Sequence, residues 1–198
     1  LVAAATSTSG HLKAGRYAQT VGTALSGAHA GNYSFAGFTT ATANYTVNPL
    51  ALTGAIAQGL GTYGDTLVPG AVNLTNKVGN DVVSASGVNI DTTGRTSTSG
   101  HLKAGMHTGI QTLAGLTGAD MDNYSFANIQ GDYKVTPLAL TGTIAQGETI
   151  YGSALQAGAA NLTNKQGSDL VQASGVRIDT TGRTSTSGHL RAGDHTGI

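Results

Sequence analysis

Short runs of alternating apolar and polar residues recur along the chain, and Gly, Asn, Asp or Ser residues bound each run. A period of two is typical of a half-buried β-strand, because successive side chains point to opposite faces of a sheet. The clearest runs, which we predict to be strands, are residues 45–47, 50–53, 82–83, 88–90, 109–113, 133–135 and 138–141. The pattern therefore predicts many short strands.

Helices are not favoured, since Gly interrupts every window in which apolar residues recur at helical spacing. Glycine in a helix interior is less favourable than Ala by about 1 kcal/mol. The best helical candidates are residues 149–160 and their counterpart 61–72, but Pro69 and Gly70 interrupt the latter. We therefore predict an all-β chain.

The sequence consists of repeats. Three strings occur twice, 88 positions apart: PLALTG from Pro49 and Pro137, NLTNK from Asn73 and Asn161, and IDTTGRTSTSGHL from Ile90 and Ile178. An earlier partial copy supplies STSGHLKAG from Ser7 and NYSFA from Asn32, with later counterparts from Ser97 and Asn123. This period exceeds that of a solenoid coil and matches one small domain per repeat.

The repeat phase divides the chain into three parts. Residues 49–136 form one complete repeat domain, residues 1–48 are the C-terminal part of a preceding repeat, and residues 137–198 are the N-terminal part of a following one. Pro49 and Pro137 stand at the junctions, where the fixed φ and missing N–H of proline suit a joint between strands. We expect these domains to follow one another end to end as an elongated fibre.

Each repeat fits a small Ig-like sandwich. A turn containing Asp120 and Asp122 precedes Asn123 and Tyr124, which resembles the sandwich corner where a Tyr hydroxyl bonds the backbone of the preceding turn. A β-grasp-like unit with one helix is the alternative, and a continuous β-solenoid is a third arrangement.

Composition narrows the function classes. Only 10% of the residues are charged and the formal net charge is +0, which argues against nucleic acid, because phosphate recognition needs clustered Lys and Arg. The chain has no Cys, which excludes disulfides, thiol catalysis and Cys-ligated zinc. No apolar run approaches the ~20 residues of a membrane span, so we expect no membrane insertion.

Histidine and aspartate supply the candidate chemistry. His101 and His107 lie six positions apart, and a flat strand would place both on one face as the start of a metal site. Gly105 between them favours a turn or bulge, so we expect solvated or turn-capping histidines. Asp120 and Asp122 suggest Ca²⁺, but bonding to nearby N–H groups of a turn is the favoured role. Without a G-x-S-x-G elbow, we predict no enzyme and no catalytic, metal or cofactor residues.

One series of short sequence motifs resembles a known family. It reads Tyr-x-Val-x-Pro-Leu-x-Leu-x-Gly, then Ile-Ala-x-Gly, then Tyr-Gly-(Asp/Ser), and is carried by Tyr45, Val47, Pro49, Leu50, Leu52, Gly54, Ile56, Ala57, Gly59, Tyr63, Gly64 and Asp65. It is similar to the YDG and related MBG-type repeats of filamentous-haemagglutinin-like adhesins of Gram-negative bacteria. Ser153 replaces Asp65 in the next copy, which argues against an essential role for that carboxylate.

The resemblance implies a secreted, cell-surface stalk, delivered by two-partner secretion, that extends a binding tip in adhesion, aggregation or biofilm. The residues that we expect to be structural are Tyr45, Pro49, Tyr63, Gly64, Tyr124, Tyr133, Pro137, Tyr151 and Gly152. The expected partners are other copies or neighbouring chains in a fibre, through self-association. The alternative is a carbohydrate-binding module whose own surface contacts extracellular polysaccharide.

Overall fold

The computed structural model describes residues 5–198, and it consists mainly of short strands. Strands make up 34% of the structure and helix 3%, so the predicted β-rich class is confirmed. The strands are β1 (Gly15–Tyr17), β2 (Thr20–Val21), β3 (Phe38–Thr39), β4 (Tyr45–Val47), β5 (Leu50–Leu52), β6 (Gly54–Ile56), β7 (Gly59–Thr62), β8 (Val72–Leu74), β9 (Ser84–Ile90), β10 (Gly105–Thr117), β11 (Tyr124–Phe126), β12 (Gln130–Thr136), β13 (Gly142–Ile144) and β14 (Ala160–Leu162). Two single-turn 3₁₀ helices, Ala30–Asn32 and Met121–Asn123, supply the helical residues.

Neither helical candidate forms a helix. Residues 149–160 contain a turn and irregular backbone before β14, and residues 61–72 run from the end of β7 through a turn to the start of β8. In residues 61–72, the backbone at Gly70 lies too close to the backbone of Ala57 to leave room for a side chain. A Cβ at Gly70 would lie only 1.8 Å from the carbonyl oxygen of Ala57, so this position requires glycine.

The complete repeat contains the largest sheet, which has four strands in the order β7, β12, β10, β9. Its longest strand, β10, pairs with both β9 and β12 in antiparallel register. Beside this sheet, β5 pairs with β11 in parallel, and β6 pairs with β8 antiparallel. The strands thus lie in several small sheets.

The partial repeats reproduce part of this arrangement in the same register. β1 pairs with β4 as β10 pairs with β12, so that Tyr45 lies opposite Tyr17 just as Tyr133 lies opposite His107. β13 pairs with β14 in the register of β6 and β8. The repeated sequence therefore gives the same local backbone structure where both strands of a pair are present.

The core of the complete repeat is mostly aliphatic. It contains two clusters of buried residues: Leu52, Val83 and Tyr124, and Ile56, Leu113 and Ile129. Leu74, Leu116 and Phe126 pack against both clusters. Tyr133 is completely buried in β12, and a Cβ at Gly59 would lie 2.3 Å from its ring, so glycine makes room for the aromatic side chain.

The chain forms two compact units, each built from three segments. The first contains the described part of Leu1–Gly61 together with Thr66–Thr92 and Gly105–Val135, and it holds both core clusters. The second contains Thr62–Asp65, Thr93–Ala104 and Thr136–Ile198. Each unit therefore draws on residues of more than one sequence repeat.

Two predicted strands are wrong. Residues 82–83 lie in an irregular stretch before β9, although Val83 is buried. Residues 138–141 are also irregular, whereas their counterpart forms β5 by pairing with β11. Among the described residues, 138–141 have no strand partner, so an alternating pattern alone does not make a strand here.

Candidate functional site

The string TSTSGHL occurs three times and folds each time into the same short loop. We call residues 6–12, 96–102 and 184–190 the first, second and third serine loops. In each one, the opening Thr forms a β-bridge with the closing Leu. The Gly of each loop adopts a positive φ, +83° at Gly100, which side-chain-bearing residues rarely adopt. The sequence therefore specifies one rigid loop conformation in all three copies.

The second serine loop holds the carboxylate of Asp169, which belongs to the following repeat. Oδ1 accepts hydrogen bonds from the Ser99 backbone N–H at 3.1 Å, from Ser99 Oγ at 2.8 Å and from Thr98 Oγ1 at 3.1 Å. Oδ2 bonds the hydroxyl of Tyr63, which also lies 2.6 Å from Ser97 Oγ. The hydrogen bonds from Tyr63 and then Ser99 hold the pKa of Asp169 well below its usual range.

The first serine loop holds Asp81, the counterpart of Asp169, in a related way. Ser9 donates its backbone N–H to Oδ1 at 3.0 Å, and the hydroxyl of Tyr124 donates to Oδ2 at 2.7 Å. Ser9 Oγ also donates to the carbonyl of Val78. Burial would raise the pKa of Asp81, but the hydrogen bonds from Tyr124 and Ser9 outweigh it and lower the pKa to about 2.

A second carboxylate, that of Asp120, also bonds the first serine loop. Asp120 accepts the backbone N–H of Thr8 at 3.1 Å and that of Val82 at 2.9 Å. The hydrogen bonds from Thr8 and Val82 lower the pKa of Asp120. The sequence predicted bonds from nearby N–H groups of its own turn to Asp120, but the two backbone donors, Thr8 and Val82, are distant in sequence.

The third serine loop contains the same hydroxyl groups without an acid. The Tyr151 hydroxyl donates to Ser185 Oγ at 3.0 Å and lies 3.3 Å from Ser187 Oγ, as Tyr63 does with the second loop. Within residues 5–198, no carboxylate bonds these groups. Tyr151 remains 53% exposed. This loop therefore offers the donors that hold Asp169 elsewhere in the chain.

Three of the six histidines lie in two different settings. His101 stacks edge-on against the ring of Tyr63, and His189 does the same with Tyr151. His107 is buried in β10 opposite Tyr133. Across the part of the chain that the structure describes, no group of three or more His, Cys, Asp or Glu residues is placed to hold a metal ion.

The expected structural residues lie in the following places. Tyr124 and Tyr133 are buried, and Tyr45 is half-exposed in β4. Both prolines are exposed: Pro49 follows an irregular residue, and Pro137 follows the last residue of β12. Gly64 and Gly152 have φ values of +98° and +87° in the turns after Tyr63 and Tyr151, so both positions favour glycine.

Tyr124 differs from the predicted corner. Its hydroxyl does not bond the turn that precedes it but accepts the N–H of Val78 at 2.9 Å and donates to Asp81. The residues with the strongest contacts, Asp81 and Asp169, were missed by sequence reasoning. Their signal was the string NLTNK-x-G-x-D, which ends at each of them.

This arrangement is suited to holding chain segments together. Each carboxylate is surrounded by hydroxyl and N–H donors of the protein, which leaves it the role of a structural acceptor. Among residues 5–198 there is no helix of the length and apolarity required to span a bilayer. Comparison with known proteins found no matching family model, no matching curated protein and no matching solved structure.

Proposed function

We propose that this chain is a structural segment of a large tandem-repeat adhesin at the surface of a Gram-negative bacterium, where its repeats extend a filament and carry no catalytic site. Each 88-residue repeat acts as one small β domain of Ig-like or β-grasp type. The resemblance to YDG and MBG-type repeats supports this location and delivery by two-partner secretion.

The observation that carries the proposal is the bond between each of the first two serine loops and the next repeat. Ser9 precedes the complete repeat and bonds Asp81 inside it, and Ser99 of the complete repeat bonds Asp169 of the following one. The same contact at two successive junctions is a property of the repeat itself. In a quasi-linear array, such nearest-neighbour contacts add stability with every copy.

The low charge suits a filament that works in varied salt. With formal net charge +0 and few charged residues, the surface lacks strong self-repulsion and depends little on ionic screening. Neighbouring filaments are therefore free to approach each other, which supports a role in aggregation or biofilm.

The experiment displays one, two or three tandem copies of the chain, each ending in the same binding domain, on a non-adherent Gram-negative host. We expect filament length in electron micrographs and cell–cell bridging to rise with copy number, while the affinity of the terminal domain stays constant. Constant length or unchanged bridging would contradict the stalk. The carbohydrate-module alternative predicts specific retention of the chain on a glycan array, whereas a spacer predicts none.

A further inference from the structure

Strand pairing stops at the repeat boundaries. Among the strands of residues 5–198, β1 to β4 pair with one another, β5 to β12 pair with one another, and β13 pairs with β14. Within that range, no pairing and no isolated β-bridge crosses Pro49 or Pro137. The contacts that join one repeat to the next are therefore not the hydrogen bonds of a shared sheet.

The serine loops make these contacts. The first loop donates the Thr8 N–H to Asp120 Oδ1 at 3.1 Å and the Ser9 N–H to Asp81 Oδ1 at 3.0 Å. Ser9 Oγ adds a bond of 2.9 Å to the carbonyl of Val78. Two successive N–H groups at the loop tip thus meet two carboxylates of the next repeat. We call the residues of that repeat that meet the loop the acceptor site: Val78, Gly79, Asp81 and Asp120.

A close approach of two backbone segments fixes the position of the docked loop. A Cβ at Gly79 would lie 3.3 Å from the Cβ of Ser9. At the second junction, a Cβ at Gly167 would lie 3.1 Å from the Cβ of Ser99. The first contact lies within one compact unit of the chain and the second contact within the other. The same docked geometry therefore recurs in two copies of the repeat.

Each loop is closed by its own backbone. In the first loop, the Ser7 N–H donates to the His11 carbonyl at 2.8 Å, and the Gly10 N–H donates to the Ser7 carbonyl at 2.9 Å. The corresponding bonds in the second and third loops are 2.7–3.0 Å long. A loop that is ordered by its own hydrogen bonds loses little conformational freedom when it docks. The loop is therefore a preorganised binding element.

The acceptor site bonds only features that all three loops share. Its partners are N–H groups and hydroxyls of a seven-residue string that is identical in residues 6–12, 96–102 and 184–190. Nothing in these contacts distinguishes a loop of the same chain from a loop of another chain.

We infer that the acceptor site also binds the serine loop of a second copy of this chain, which then replaces the resident loop. This inference rests on the self-association part of the proposed function and names the surface through which copies join. Exchange breaks and remakes the same hydrogen bonds, and such swapping of identical elements is a low-cost route to association.

The concentration of copies decides between the two occupants. A resident loop competes with an effective concentration on the order of millimolar. Exchange is therefore expected where copies are crowded, as on a cell surface that carries many filaments, and each exchanged loop links two chains. Dilute chains keep their own loops docked.

Cysteine trapping tests the exchange directly, because the chain has no Cys of its own. One full chain carries Ser9→Cys and the other carries Gly79→Cys, and a docked loop brings these two Cβ atoms close to the ~3.5–4.5 Å that a disulfide needs. The two chains are mixed at several concentrations in a glutathione redox buffer. We expect a mixed disulfide dimer whose yield rises with concentration. The yield should exceed by about tenfold that of Ser9→Cys mixed with Gly175→Cys, an exposed glycine with open space around it.

Two further variants tie the result to the acceptor site. Asp81→Ala, added to the Gly79→Cys chain, removes the carboxylate that holds Ser9 and should lower the yield to that of the control mixture. A single chain with both Ser9→Cys and Gly79→Cys should close its disulfide internally and then form no mixed dimer with the Gly79→Cys chain. Failure of this internal disulfide to close would overturn the docked loop and the inference with it.

The second junction provides a repeat of the trap. Cys at Gly79 takes a φ of +46°, so Ser99→Cys with Gly167→Cys serves as a second pair, and circular dichroism confirms that each variant folds. A yield at the control level for both pairs, or an unchanged yield with Asp81→Ala, would overturn the inference.

These outcomes are separable from failure of the proposed function. Control-level yields from a chain whose tandem copies still lengthen a displayed filament would overturn loop exchange and leave the stalk role standing. Efficient trapping together with a filament length that does not depend on copy number would support loop exchange and overturn the stalk.

Discussion

The hydroxyl of Tyr63 bonds the carboxylate of Asp169, which lies 106 positions further along the chain. Ser97 and Ser99 complete the ring of donors between them. Asp169 is only partly buried, yet its carboxylate is held from several sides by neutral donors. Neutral donors of this kind stabilise the ionised form without a cation, which suits a chain with so few charges.

Tyr63 and Asp169 should behave as one unit in a double-mutant cycle. Tyr63→Phe and Asp169→Asn should each lower the midpoint of unfolding by a few degrees, because each removes one side of the same hydrogen bond. The double variant should be little worse than the more damaging single variant. Tyr33→Phe is the control, since its ring is largely exposed. Chemical denaturation gives the loss of unfolding free energy for each variant. A loss in the double variant equal to the sum of the two single losses would contradict the coupling.

Acid should weaken the first serine loop between about pH 4 and pH 2. The pKa of Asp81 is about 2 in the folded chain, against an ordinary value of about 3.9 when unfolded. A depressed pKa stabilises the fold above the unfolded value, and this contribution is lost as the pH falls through the folded value. The free energy of unfolding should therefore decline as the pH is lowered from about 4 to about 2.

The control for this pH profile is Asp81→Asn. It removes the titrating group, so the variant should be less stable near pH 7 and show a flatter decline below pH 4. Carbon-detected NMR of the Asp81 carboxyl gives its pKa directly. A measured pKa at or above 4, or an identical acid profile in the variant, would rule out this role.

Gln111 is completely buried in β10 and crosslinks three segments. Its Nε2 donates to the carbonyls of Ala57 at 3.1 Å and Asp132 at 2.6 Å, and its Oε1 accepts the N–H of Gly70 at 2.7 Å. Gln111→Leu leaves these groups buried without a partner and should cost about 2–3 kcal/mol in unfolding free energy. Gln172→Leu, at an exposed position, should change little. Similar values for both variants in urea denaturation would refute the crosslink.

Local features of the fold were predictable from the sequence. The alternating runs at residues 45–47, 88–90, 109–113 and 133–135 all lie within strands, because their pattern and their glycine boundaries act over a few residues. Residues 138–141 carry the same pattern as β5 and form no strand. A strand needs a hydrogen-bonding partner, and the string of residues 138–141 contains no information on whether one is present.

The long-range contacts were not predictable in the same way. Tyr124 was expected to bond its own turn, but its acceptor is Asp81, 43 positions away. Nothing local to Asp81 distinguishes a carboxylate that meets a tyrosine from one that faces water. The exact recurrence of its string at Asp169 was the usable signal, because two copies of an acid in the same context favour a role within the repeat.

Ile56 and Ile144 provide a test in which sequence context is held nearly constant. They lie 88 positions apart in the same short strand of successive repeats. Ile56 is 5% exposed and Ile144 is 60% exposed. Ile56→Ala should cost about 2–5 kcal/mol, because Leu113 and Ile129 enclose the side chain and leave a cavity. Ile144→Ala should change the free energy of unfolding by no more than about 0.5 kcal/mol, as substitutions at exposed positions usually do.

Urea denaturation of both variants beside the wild type measures the two deficits in the free energy of unfolding. A larger deficit for Ile56→Ala than for Ile144→Ala is the expected result. Equal deficits would show that burial does not distinguish these two positions.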